Sequence, residues 1–325
     1  MILRTLQAAC LGALILLGGI AAAQPARNQP AVEPFPDPAT LQPFLNDDGS
    51  IRTGRFTIRL AERSPWTTPQ QLLQHLRNAI PTTDPYTLED ETIHLYIPPG
   101  YDGSEPYGLL VYINPGGRGE APEQWLSVLE EKKLIWVGPD NIGNNRAPVH
   151  RIAISLDCAW NLPHKHYHIH PDRIYVSGFS GGGRISSWVA LNYPEAVNGM
   201  IAQGGIDYWM NLPVPDQPNT MWPQKFQRPA PGPNFVKMLR QNRHAMIIGT
   251  EDPNYQQTVV TAEMMTRQRL SHVLLIEMPG KPHVPGGPEE LTQAIDFLDA
   301  PISAEEAGEE NSPQRAQRAA EGEER

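Results

Sequence analysis

The run Gly178-Phe179-Ser180-Gly181-Gly182 holds a serine with glycine two residues away on either side. A serine hydroxyl is a weak nucleophile at neutral pH; it becomes useful when a sharp bend exposes it and a base stands within hydrogen-bond reach. Gly178 and Gly182 meet the first condition, because they remove the side chains that would collide across a tight strand-to-helix turn, and Gly181 and Gly183 relax it further. The helix that follows would aim its free N–H groups at the same point, where they could stabilise an oxyanion. Five letters are also compatible with a glycine-rich turn that holds a serine by chance, so the other strand ends carry the decision.

Two further polar groups matter. His283, in Pro279-Gly-Lys-Pro-His283, can take a serine proton and later return it to a leaving group, since imidazole titrates near neutral pH. A buried carboxylate behind it would fix its tautomer and stabilise the imidazolium. Asp252 and Glu251, in Gly249-Thr-Glu-Asp-Pro-Asn-Tyr255, and Asp207 are the acids that stand after strand-like runs. His244 and His272 flank strands at their starts, the wrong end for this chemistry. His164, His166, His168 and His170 alternate as metal ligands on a strand could, but neither cysteine nor clustered carboxylate accompanies them, so a solvated loop without metal is expected.

The elements that must position these groups are legible from apolar patterning. Arg55–Leu60 and Glu91–Ile97 alternate as half-buried strands, and Thr68-Pro69 opens a helix whose apolar face is Leu72, Leu73, Leu76 and Ile80. Leu109–Ile113, Leu134–Val137, Ile174–Val176, Met200–Ala202, Ala245–Ile248 and Val273–Ile276 are short continuous apolar runs, the signature of strands covered on both faces. Helical stretches over 123–131, 151–161, 181–192, 256–269 and 289–298 lie between and after them. Repeated strand-then-helix units predict an α/β fold, a mostly parallel central sheet with helices on both faces. Ligands of such sheets sit at the carboxyl ends of the strands, which is where Ser180, Asp252 and His283 fall. Tyr208–Phe235 is a long proline-rich insertion holding Trp209, Trp222, Phe226 and Phe235, expected to be a lid or a surface wrap. Trp125, Trp160, Trp188 and Cys158 read as core.

Residues 1–23 have the form of a signal peptide: Arg4, an apolar stretch from Leu11 to Ile20, and Ala21-Ala22-Ala23 before Gln24. The expectation is export to the periplasm or beyond, with no membrane association after cleavage. Cleavage would remove Cys10 and leave Cys158 alone, so no intrachain disulfide is expected. Residues 24–50 read as a proline-rich linker or arm, 51–300 as the main domain with its insertion at 208–240, and 301–325 as a disordered acidic tail. The net charge of −10 includes −4 from that tail, seven glutamates against three arginines, and no basic stripe interleaves with aromatics; a nucleic-acid partner is not expected.

The order serine, acid, histidine at successive strand ends resembles the α/β-hydrolase superfamily. The run Pro171-Asp-Arg-Ile-Tyr-Val-Ser-Gly-Phe-Ser-Gly-Gly, with the earlier strand ending in Pro-Pro-Gly-Tyr101, is similar to the exported polyhydroxybutyrate depolymerase and feruloyl or acetyl xylan esterase group. The resemblance implies a carboxylic ester hydrolase that works through an acyl-enzyme on Ser180 without a cofactor, on a small-molecule, polysaccharide-linked or polyester-linked ester. It favours Asp252 as the acid, with Asp207 and Glu251 as alternatives. It places the oxyanion hole at the backbone N–H of Gly181 and of Gly116 or Gly117, although Asn114-Pro115 replaces the group's usual His-Gly opening. A serine peptidase of the same fold and a non-catalytic binding protein on a hydrolase scaffold are the rival readings.

Overall fold

A computed structural model describes residues 33–76, 87–227, 233–270 and 272–301. The expected signal peptide and acidic tail, with part of the 208–240 insertion, lie outside the described residues.

Eight strands form one sheet: β1 (Gly54–Ile58), β2 (Ile93–Ile97), β3 (Tyr107–Ile113), β4 (Leu134–Pro139), β5 (Ile169–Phe179), β6 (Gly199–Gln203), β9 (Arg243–Gly249) and β10 (Val273–Met278). Their order is β1-β2-β4-β3-β5-β6-β9-β10. β2 runs antiparallel to both its neighbours, and every pairing from β4 to β10 is parallel. This is the α/β-hydrolase fold. The helices are α1 (Pro69–His75), α2 (Leu126–Glu131), α3 (Pro148–Asn161), α4 (Gly181–Asn192), α5 (Pro233–Gln241), α6 (Tyr255–Arg267) and α7 (Pro288–Asp299). A small hairpin, β7 (Leu212–Pro213) and β8 (Met221–Trp222), lies in the insertion.

The side-chain period of two divides the core between the sheet's faces. Leu109, Val111 and Ile113 of β3, with Ile135 and Val137 of β4 and Val176 of β5, join one cluster with α3, α4 and α6. Leu110, Tyr112, Trp136, Tyr175 and Ile201 join a second with α2 and α7. Both faces are therefore covered, which is why these strands read as unbroken apolar runs. The buried Trp125 and Trp160 and the fully buried Cys158 belong to these clusters, and burial beside Asp157 pushes the Cys158 thiol far up, away from reactive thiolate.

Two expectations differ from the structure. β5 begins at Ile169, ahead of the expected Ile174: its register against β3 jumps from Tyr107↔Ile169 to Leu109↔Ile174, so residues 170–173, with Pro171, bulge out of the ladder. The histidine tract is a packed surface rather than a solvated loop. His164 stacks on Phe35 and on Trp160, and His166 stacks on Phe44 with its ring 4.5 Å away. The Gln42 N–H donates to the Lys165 carbonyl at 2.9 Å, so the segment before β1 lies across this turn as an extra layer. Of the insertion, Trp209, Phe226 and Phe235 are buried, with Phe226 against Trp188 on α4.

Candidate active site

The turn between β5 and α4 is built by close backbone approach. A Cβ on Gly182 would stand 1.8 Å from the Ile113 carbonyl oxygen at the end of β3, and one on Gly178 would stand 2.5 Å from the Gly182 backbone. With side chains absent at both, the chain reverses tightly and Ser180 takes φ 55°, ψ −119°. For a residue with a side chain such a conformation costs about 1–3 kcal/mol and persists only when its surroundings hold it. Here the Ser180 N–H donates to the Gln203 carbonyl at 2.7 Å and the Ser180 carbonyl accepts from the Arg184 N–H at 3.1 Å.

The loops after β9 and β10 deliver the other two groups as a joined unit. The Thr250 N–H donates to the Met278 carbonyl at 3.1 Å and the Glu251 N–H to the Lys281 carbonyl at 3.0 Å; the Gly280 N–H donates to Thr250 Oγ1 at 2.8 Å. On this base, His283 Nδ1 lies 2.6 Å from Asp252 Oδ2 and His283 Nε2 lies 2.9 Å from Ser180 Oγ. The carboxylate can only accept, so Nδ1 carries the proton and Nε2 presents its lone pair to the serine hydroxyl. The Asp252 side chain is fully buried, and its Oδ1 accepts the Asn254 N–H at 2.8 Å. The Phe179 ring covers His283 at 4.7 Å, leaving the imidazole about one-third exposed.

The two alternative acids are elsewhere. Glu251 is exposed. Asp207 gives one oxygen to Arg184 Nη1 at 2.6 Å and the other to Trp188 Nε1 at 2.9 Å, both on α4. That carboxylate anchors α4 to the segment after β6, with both oxygens turned to α4 and none bonded to His283.

Three residues near the site carried no signal in the sequence pattern. Gln203 closes β6, where it reads simply as a strand end. It is buried, accepts the Ser180 N–H on its carbonyl, and accepts the Gly286 N–H on Oε1 at 3.0 Å, tying the turn to the histidine loop. Arg184 reaches from α4 to Asn254 Oδ1 at 2.9 Å, and Asn254 Nδ2 donates to the Gly204 carbonyl at 2.9 Å. The asparagine that holds Asp252 is thereby held by the helix that follows Ser180.

Gly181, expected to give one oxyanion donor, is the first residue of α4, where a backbone N–H has no partner within the helix. The glycines of the β3 loop are disposed differently. The Gly116 N–H donates to Asn114 Oδ1 at 2.7 Å and the Gly117 N–H to the Asn114 carbonyl at 3.2 Å. Asparagine in the opening position folds the loop into an Asx turn that occupies both of the expected donors. Beside this loop is a pocket of about 290 Å³ lined by Gly116, Gly117, Asn141, Asn145 and Arg146. Arg146 is neutralised there by a two-point pair with Glu91, at 2.6 and 3.0 Å. Among the described residues no group of three or more histidines, cysteines or carboxylates is placed to hold a metal ion.

No protein-family model matches the chain, and no curated protein matches it. Solved structures show distant likenesses. A protein assigned as a dipeptidyl aminopeptidase IV from Bacteroides ovatus is 17% identical with a TM-score of 0.42; the match covers 63% of this chain and 33% of that one, so this chain spans about a third of its length. Est1E from Butyrivibrio proteoclasticus is 16% identical with a TM-score of 0.42, over 63% of this chain and 91% of its own. The S-formylglutathione hydrolase FrmB from Staphylococcus aureus is 13% identical with a TM-score of 0.47, over 76% of this chain and 99% of its own.

Proposed function

We propose that this chain is an exported serine hydrolase of carboxylic esters. The observation that carries the reading is the continuous hydrogen-bonded line from Ser180 Oγ through the His283 ring to the buried Asp252, with Ser180 held at the start of α4. As Oγ attacks an ester carbonyl carbon, His283 Nε2 takes the hydroxyl proton. The positive imidazole is stabilised by Asp252, whose burial out of reach of solvent strengthens the interaction. The negative charge that moves onto the carbonyl oxygen meets the Gly181 N–H and the positive end of the α4 dipole. His283 then gives its proton to the departing alkoxide, leaving an acyl group on Ser180. A water, deprotonated by the same nitrogen, attacks that acyl carbon; the carboxylic acid leaves and the proton returns to Oγ.

The pocket beside the β3 loop supports a short, neutral, hydroxylated substrate portion over a long acyl chain, since its side chains are amides and an already paired guanidinium. The form of residues 1–23 supports the export part of this reading. Among the described residues no helix is long and apolar enough to cross a membrane.

The test is hydrolysis of aryl esters graded by acyl length, acetyl and feruloyl sugar esters, and matching amides, by the native chain and by Ser180→Ala. Ester turnover that Ser180→Ala abolishes is expected, with short acyl groups preferred. Amide turnover above ester turnover would make the protein a peptidase, and no turnover on any member would leave a binding protein on a hydrolase scaffold.

A further inference from the structure

We infer that the side-chain carboxamide of Asn144 is the second oxyanion donor of this site, in place of a backbone N–H from the β3 loop. The inference rests on the ester hydrolase reading above.

A tetrahedral oxyanion is bound well by two donors that converge from different sides. Gly181 supplies one. In the β3 loop Pro115 has no N–H, and the Gly116 and Gly117 N–H groups are both engaged inside the Asn114 turn. Freeing the Gly116 N–H would mean breaking a 2.7 Å hydrogen bond at the moment of reaction, the reorganisation that a prearranged oxyanion hole avoids.

The loop between β4 and α3 offers the replacement. It is fastened to the β3 loop by two backbone bonds, Asn144 N–H to the Pro115 carbonyl at 2.8 Å and Asn141 N–H to the Gly117 carbonyl at 3.0 Å. From that anchorage the Asn144 carboxamide lies over the α-carbon of Gly181. A Cβ built on Gly181 would come within 2.0 Å of Oδ1, 2.7 Å of Cγ and 3.0 Å of Nδ2. The amide thus fills the space that any side chain after the nucleophile would take, next to the one N–H already assigned to the oxyanion. This accounts for glycine at 181: Gly181 does not have a positive φ, and the three atoms nearest to a Cβ built on it all belong to the Asn144 side chain. No described residue makes a hydrogen bond to the Asn144 side chain, and the residue is exposed, so its N–H groups are available. The two ends of a carboxamide are related by a half-turn, which brings Nδ2 to the position nearest Gly181.

The experiment measures the rate at which a fluorophosphonate probe labels Ser180, because phosphonylation builds negative charge on the phosphoryl oxygen and needs no knowledge of the natural ester. Native chain, Ser180→Ala, Asn144→Ala, Asn144→Asp, Gly181→Ala and the double variant Asn144→Ala/Gly181→Ala are compared, each with its melting temperature. Expected are prompt labelling of the native chain, none in Ser180→Ala, and labelling slowed about 10²–10³-fold in Asn144→Ala. Asn144→Asp, the same shape without a donor, is slowed at least as much, so it carries the test if Asn144→Ala melts early. Gly181→Ala, whose methyl displaces the amide, is slowed in the native background and costs little more once Asn144 is alanine. Native-rate labelling of Asn144→Ala or Asn144→Asp overturns the inference while leaving the hydrolase reading intact. So does a Gly181→Ala cost that is equal in both backgrounds. A native chain that the probe fails to label overturns the hydrolase reading, and this inference with it.

Discussion

Asp252 and Asp207 are both buried aspartates just past strand ends, yet their partners give them different work. Asp252 faces an imidazole on one oxygen and a single backbone N–H on the other. Changing it to asparagine keeps the shape but offers His283 an N–H where it needs an acceptor, which favours the wrong tautomer. Turnover in Asp252→Asn should fall by about 10⁴-fold while the melting temperature changes little. Asp207 instead satisfies Arg184 and Trp188 on α4. Asp207→Asn should cost roughly 2–3 kcal/mol of unfolding free energy, because a half-buried guanidinium loses its partner, and should leave turnover per folded molecule within a fewfold of native. Kinetics and urea denaturation on the same preparations separate the two. From the sequence both aspartates are eligible, since spacing locates strand ends; what distinguishes them is that Arg184 and Trp188 of α4 reach Asp207 while His283 of the loop after β10 reaches Asp252, and no periodicity encodes that.

The strands and helices impose their own constraint, a fixed distance between β3 and α4 at the turn that carries Ser180. That distance is set by a missing methyl: alanine at 182 would press its Cβ to 1.8 Å from the Ile113 carbonyl oxygen. Neither backbone can retreat without breaking its own ladder, so Gly182→Ala should destabilise by roughly 1–3 kcal/mol or more and displace Ser180. The measurement is the melting temperature together with the probe-labelling rate; both should drop. Elements of this kind were the most readable part of the chain. Buried strands announce themselves through unbroken apolar runs such as Leu109–Ile113, because both faces need apolar side chains. The start of β5 was hidden because Pro171 sits in a bulge, and a proline within a run argues against a strand. The aromatic packing of His164 and His166 was hidden for another reason. Their partners Phe35 and Phe44 lie more than a hundred residues earlier, in a stretch whose prolines make it look like a linker.

The stability of the entire domain should depend on acid in a direction set by a histidine enclosed in its sheet. His244, near the start of β9, is completely enclosed, and burial pushes its pKa down to about 4 from the usual 6.5. A depressed histidine folds in its neutral form, so the unfolded chain binds more protons between these two values. Its contribution is present above pH 6.5 and is lost as pH falls toward 4, about 3 kcal/mol in all. His166, lowered by its own burial beneath the segment before β1, adds to the same slope. Urea unfolding at pH 7 and pH 4.5 should therefore show a marked loss of stability in the native chain and a clearly smaller one in His244→Gln. The bond between Ser180 and His283 has a different consequence. It joins positions 103 residues apart, from the end of β5 to the loop after β10, with β6 and β9 paired between those two strands. A partly folded chain, however helical, has a serine with no base. Reactivity at Ser180 would in this sense be a signature of completed assembly, absent from any form of the protein in which β10 is not yet paired with β9.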